Sequence, residues 1–243
     1  MTTRQRIVAL VAATTLGLAG CAAASEQPEA QAPTTTLANP TTTLPAPTTT
    51  HDHPSTTAAG GDYGPHVMLS NRMRDLWAEH MFWTYFTVDA FFNNPEELQP
   101  NLDRLLANQV EIGDAIKPFF GEEAGDQLAA LLTEHIELAV PVLTAARDGD
   151  SEALDAALDD WYGNAQDVAE FVSAAGPEAW PLNVTSPMLK GHIDSTVVYA
   201  TALLEGDYPR AIAEFDRAYD HMMMLSEALS AGIINQFPEQ FAN

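Results

Sequence analysis

The sequence predicts an all-α protein, a six-helix bundle built from three repeated antiparallel helical hairpins of about 56 residues each. Three observations predict it. From Tyr63 onward the apolar residues recur at helical spacing, and no stretch alternates apolar and polar residues as a half-buried strand would. Two separate apolar stripes repeat along the chain with the same period. Turn-forming residues fall where that period asks for turns.

The chain divides into three parts. Residues 1–20 read as an export signal: Arg4 and Arg6 give a basic start, and "IVALVAATTLGL" (7–18) is an apolar core too short to span a bilayer. It ends in "LAGC", which resembles the bacterial lipobox, and that resemblance implies that Cys21 becomes the acylated first residue of the mature protein. Cys21 is the sole cysteine, so disulfides, a thiolate nucleophile and a cysteine metal site are all excluded. The rest of residues 21–62 reads as a disordered tether. Its "TTTLANPTTTLPAPTTT" (34–50) has no apolar period to fold on. At about 3.1 Å per residue such a chain could hold a domain up to roughly 100 Å from a membrane. His51 and His53 in "HDH" belong to this solvated segment.

Residues 63–243 form the third part, long enough for one domain with its own core. The first stripe is marked by histidines. "LWAEHMFWT" (76–84), "LLTEHIELA" (131–139) and "MLKGHIDST" (188–196) superpose on His80, His135 and His192, with Leu76, Leu131 and Met188 one turn earlier. The second stripe aligns Leu98, Leu154 and Ala211, then Leu102, Leu158 and Phe215, and ends on Ile116, Val172 and Leu229. "NNPEE" (93–97) starts the second helix with Pro95 and two acidic residues that suit the helix dipole. "DGDSEA" (148–153) and "EGDYPRA" (205–211) pair a glycine stop with a new start, separating helices three from four and five from six. "FFGEEAG" (119–125) and "AAGPEAWPLNVTSP" (174–187) separate the hairpins. A single up-and-down bundle and a short stack of hairpins both satisfy this reading.

"LWAEHMFWT", "LANQVEIGDAIKPFFGEEAGDQLAALLTEHI" (106–136), "WYGNAQDVAEFV" (161–172) and "FDRAYDHMMMLSEALSAGIINQFP" (215–238) together resemble a group of uncharacterised bacterial all-helical proteins, some carrying the labels glycosyltransferase or acetylglutamate kinase. The resemblance covers nearly the whole domain and implies an all-helical fold. It brings no catalytic residue. The mixed sheet of a nucleotide-sugar transferase and the glycine-rich phosphate loops of an amino-acid kinase have no counterpart in this sequence.

Charge narrows the partners. All 34 acidic residues follow Cys21 and two of the ten basic ones precede it, so the mature chain repels nucleic acid and attracts cations. The histidines are the chief candidates for a site. His80, His135 and His192 each lie on an apolar helix face, and helix five has the most polar path (Met188, His192, Ser195, Tyr199), so a pocket is expected there. One reading makes them core hydrogen-bonding groups, with Asn108, Asn164 and His221 in one column of the second helices, beside Gln109, as partners. The other brings the three imidazoles onto one zinc or copper ion with an open fourth position. Glu79 and Glu134 adjoin two of the histidines but point about 100° away around the helix. Asp216 with Asp220 reads as a solvated face, "HMMML" (221–225) as adaptable packing, and "FWTYF" (82–86) as core or hairpin contact. No catalytic motif is present. The expectation is a lipid-anchored protein on the extracytoplasmic face of the cell membrane with a binding or accessory role. Its partner would be a surface protein or a small cation, and the sequence requires no cofactor.

Overall fold

The computed structural model describes residues 63–242; the segment 1–20 expected to be an export signal, Cys21, the Thr/Pro-rich segment with His51 and His53, and the last residue lie outside the described residues. Among the described residues there are six α-helices and no strand. They are α1 (Pro65–Asn93), α2 (Pro95–Phe120), α3 (Glu122–Asp148), α4 (Ser151–Ala175), α5 (Leu182–Leu204) and α6 (Tyr208–Gln236), followed by one 3₁₀ turn at Pro238–Gln240.

The connections follow from local chemistry. Pro95 can begin α2 one residue after α1 ends because the first helical N–H has no intrahelical acceptor in any case. Gly149 and Gly206 both take a φ of +71°, in the left-handed region that favours glycine. After each, the following amide closes the old helix: Asp150 N–H donates to Ala145 O at 3.0 Å, and Asp207 N–H to Ala202 O at 2.9 Å. The same two aspartates then cap the next helix, accepting from Ala153 N–H at 3.0 Å and Arg210 N–H at 3.3 Å. Each Gly-Asp pair is thus a stop and a start in two residues, as the sequence suggested.

Each helix packs on the one before it and the one after it, and α6 returns to pack on α1. The ring is therefore closed, which selects the bundle over an open stack. Helices α1, α3 and α5 also touch one another across the middle. At the α2–α3 crossing the two backbones come close: a Cβ on Gly113 would lie 2.4 Å from the Gly125 carbonyl oxygen, and one on Gly125 would lie 2.7 Å from that of Gly113. Only paired glycines allow these backbones so close.

Where the α1, α3 and α5 stripes meet, the core is layered. At the end carrying the α2–α3 and α4–α5 connections it is filled by bulky groups, among them Trp77, Phe120, Phe171 and Trp180. Trp180 lies across Gly232, and its indole N–H donates to Ala228 O at 3.1 Å. At the other end, past the histidines, α1, α3 and α5 turn to short or β-branched side chains: Thr84, Thr87 and Val88, then Ala139, Val142 and Ala146, then Thr196, Val197 and Ala200. Short side chains facing one another from three helices leave space.

Candidate functional site: a histidine floor under an apolar chamber

His80, His135 and His192 come together at the centre of the bundle, all buried. The His80 and His192 ring centroids are 5.6 Å apart, and those of His135 and His192 are 5.8 Å apart. Trp77 meets His80 edge-on at 5.6 Å, and Trp161 packs on His135 at 5.3 Å. Five rings thus run across the core in the order Trp77, His80, His192, His135, Trp161.

Three side chains on the ring's other helices hold this layer from behind. Asn108 donates from Nδ2 to Leu76 O at 3.1 Å, Asn164 from Nδ2 to Leu131 O at 3.1 Å, and His221 from Nε2 to Met188 O at 2.8 Å. Each carbonyl belongs to the residue one turn before a central histidine. Asn164 alone of the three also reaches a central imidazole, at 2.9 Å between His135 Nδ1 and Asn164 Oδ1. Because the Asn164 amide nitrogen is committed to Leu131, its oxygen faces the ring and His135 Nδ1–H must donate. His135 is then the Nδ1–H tautomer, with a lone pair on Nε2. Gln109 lies beside His80 and donates from Nε2 to Leu105 O at 2.7 Å. The Nδ1 atom of His192 has no hydrogen-bond partner among the described residues, whereas His80 has the Gln109 side chain as a hydrogen-bonding neighbour.

Burial sets the charge of the layer. It holds the His80 imidazole down to about 3, with the neighbouring His135 adding to the shift and Gln109 opposing it. Burial brings His135 down to about 4 against the opposing bond to Asn164. His192 is pushed well below the usual histidine range, by burial first and then by His80, His135 and His221. All three are neutral at physiological pH, since desolvation disfavours the charged form.

Above this layer lies a chamber of about 140 Å³ lined by residues of α1 to α5. Its walls are almost wholly apolar; the polar groups are the three histidines, the indole N–H of Trp161, and Thr84, Thr87, Thr196 and Thr201. Thr84 and Thr201 spend their hydroxyls on their own helices, donating to His80 O and Val197 O. The Thr87 hydroxyl has no partner among the described residues, and the Thr196 hydroxyl lies beside that of Tyr199 on the same helix. Half-buried Phe91, Phe92, Leu98 and Leu204 form the outer part of the lining, near the Asn94 and Glu205–Asp207 turns. A second space of about 50 Å³ lies on the other side of the histidines.

Along α5 the chamber is lined by Thr196, Val197, Ala200 and Thr201 rather than by Ser195 and Tyr199. Ser195 instead donates to His192 O at 2.9 Å, and Tyr199 is buried against Tyr85 and Phe215. Glu79 points outward and pairs with Arg104 at 2.6 Å, and Glu134 is exposed. Asp216 and Asp220 are exposed, Met222 is buried and Met224 is exposed, as a solvated face and splayed methionines require. The aromatic run 82–86 divides. Thr84 faces the chamber, while Phe82 and Tyr85 join Phe215 and Tyr219 in a seam between α1 and α6. Thr87, Thr196 and Trp161 went unremarked as site residues in the sequence. The signal was present, for Thr87 and Thr196 lie seven and four residues after a central histidine on the same helix.

Among the described residues, no three His, Cys, Asp or Glu side chains are arranged so that they could hold a metal ion. The chain matches no family model, no curated protein and no solved structure.

Proposed function

We propose that this chain is a lipid-anchored extracytoplasmic binding protein whose ligand enters the ring interior above His80, His135 and His192. The observation that carries the reading is a neutral imidazole layer, with the His192 Nδ1 atom unpartnered, at the floor of a 140 Å³ chamber. A core built for stability alone fills such space and pairs such groups. The lipobox before Cys21 supports the anchor, and the Thr/Pro-rich composition of the intervening segment supports a tether. Three copies of one hairpin account for the design, each giving one histidine to the centre. The bonds from Asn108, Asn164 and His221 to the carbonyl one turn before each histidine support that origin.

The reading is tested by membrane fractionation of the full chain and its Cys21→Ala variant, with native mass spectrometry of the membrane-derived protein. The parent is expected in the membrane fraction carrying a dissociable adduct, and the variant in the soluble extracytoplasmic fraction. A variant still held at the membrane would sink the anchor, and a parent without any adduct would count against the binding role.

A second reading, zinc or copper held by the three imidazoles, is favoured by one specific observation. In a three-imidazole site with metal–nitrogen bonds of about 2.0–2.1 Å, ring centroids stand about 5–5.5 Å apart. The observed 5.6 and 5.8 Å come near this for the two pairs that include His192; no His80–His135 ring contact is found among the described residues, so those two rings would have to close toward each other around the ion. His135, with Nδ1–H given to Asn164, keeps Nε2 for a metal, the arrangement that usually orients a ligating histidine. Titrating the full chain with zinc or copper is expected to reach about one equivalent on this reading, and none in the His80→Ala, His135→Ala, His192→Ala triple variant. Equal uptake by parent and variant would dismiss it.

A further inference from the structure

We infer that the chamber takes a small, neutral, mainly apolar molecule with one hydrogen-bonding group, which it turns toward the histidine and threonine floor. The inference rests on the binding reading above and names its ligand. Size comes first. A cavity of about 150 Å³ with apolar walls accepts benzene, and this chamber measures about 140 Å³. Charge comes second. The lining contains no Asp, Glu, Lys or Arg, and its histidines are neutral, so an ionic ligand would lose its hydration with nothing to replace it. Polarity comes third. Most of the wall offers only hydrocarbon. The unpartnered Thr87 hydroxyl and His192 Nδ1 atom, by contrast, are buried polar groups that gain from a partner.

A hydroxyl or carbonyl on an otherwise apolar body satisfies both halves of that lining. A plain hydrocarbon would fill the walls and leave the floor unpaired. Entry is through the half-buried Phe91, Phe92, Leu98 and Leu204 at the turn-bearing end, where side chains can move without disturbing the packed end of the bundle.

Phenol, benzene and benzoate separate these requirements. Each is titrated into the metal-free full chain by calorimetry and thermal denaturation. Phenol and benzene are expected to bind and raise the melting temperature, with phenol about five- to tenfold tighter through its hydroxyl, while benzoate does not bind. Thr87→Val keeps the shape and removes a hydroxyl, and is expected to bring phenol down toward benzene while leaving benzene unchanged. Ala200→Leu fills the chamber and is expected to abolish binding of both. Ala139→Leu, from α3, makes the same test should the α5 variant fold poorly. Binding that survives both filled variants overturns the site, and so does a crystal soaked in phenol that shows only water on Thr87. Benzoate binding as well as phenol overturns the requirement for a neutral ligand. If neither aromatic binds but zinc or copper does, and the triple histidine variant loses it, the ligand class is wrong and the binding reading survives. If neither aromatics nor metals bind, the binding reading falls with it.

Discussion

Acidification from pH 7.5 to 5.5 is expected to remove about 4 kcal/mol of folding stability from the metal-free protein, a large share of the 5–15 kcal/mol typical of a domain. In the unfolded chain each imidazole takes up its proton near the ordinary value of about 6.5. In the folded chain His80 stays neutral down to about 3 and His135 down to about 4, and His192 is shifted the same way. Below pH 6.5 the unfolded state therefore binds more protons than the native state, and stability falls as pH falls. Each histidine contributes a slope of about 1.4 kcal/mol per pH unit, so the three together give about 4. The loss from His135 is complete near pH 4 and that from His80 near pH 3. Urea unfolding in the presence of a chelator at pH 7.5, 6.5 and 5.5 checks this. The range stays above pH 5, where carboxylates of ordinary pKa remain charged, so easing of acidic self-repulsion contributes little. Midpoints that do not move would mean that the imidazoles are already charged or already solvated, and the neutral floor would have to be abandoned.

Fold and site were unequally legible in the sequence. The Gly149-Asp150 and Gly206-Asp207 turns could be read because their signals are local: a left-handed residue followed by a side chain that accepts from the next helix. The three central histidines could be read because each interrupts an apolar face at the same phase. Ring closure could not, since the packing of α6 on α1 depends on how six helices meet and on no single motif. The chamber is an absence of bulk. It depends on Thr84, Ala139 and Thr196 facing one another from separate helices, and in a linear sequence each looks like ordinary helix filler. Along α1, Trp83 is half-buried, while the buried path runs His80, Thr84, Thr87, Val88. A one-residue error in phase, about 100° around the helix, exchanges a chamber wall for a surface seam. The histidine bonds were only partly legible for a similar reason. One alignment column predicted three equivalent partners, but Asn108 and His221 stop at the backbone and only Asn164 reaches a central ring.

That inequality allows the central histidines to be separated by substitution. His192→Leu is expected to stabilise the protein by about 1–2 kcal/mol at pH 7.5, whereas His135→Leu is expected to destabilise it by about 1–3 kcal/mol. His192 carries a buried Nδ1 with no partner, so leucine removes a desolvated polar group and adds hydrocarbon to an apolar layer. His135 is different. Its loss leaves the Asn164 amide oxygen buried without a donor, and Asn164 cannot turn away while its nitrogen holds Leu131 O. At pH 5.5 the His192→Leu advantage should widen by about 1.4 kcal/mol, because one imidazole has left the proton balance. Denaturant unfolding of the two variants at both pH values checks the split. Equal destabilisation by both would assign the histidines to the packing of the fold. A gain at His192 beside a loss at His135 would show an imidazole kept at the centre of the bundle against the interest of stability, as residues retained for binding are.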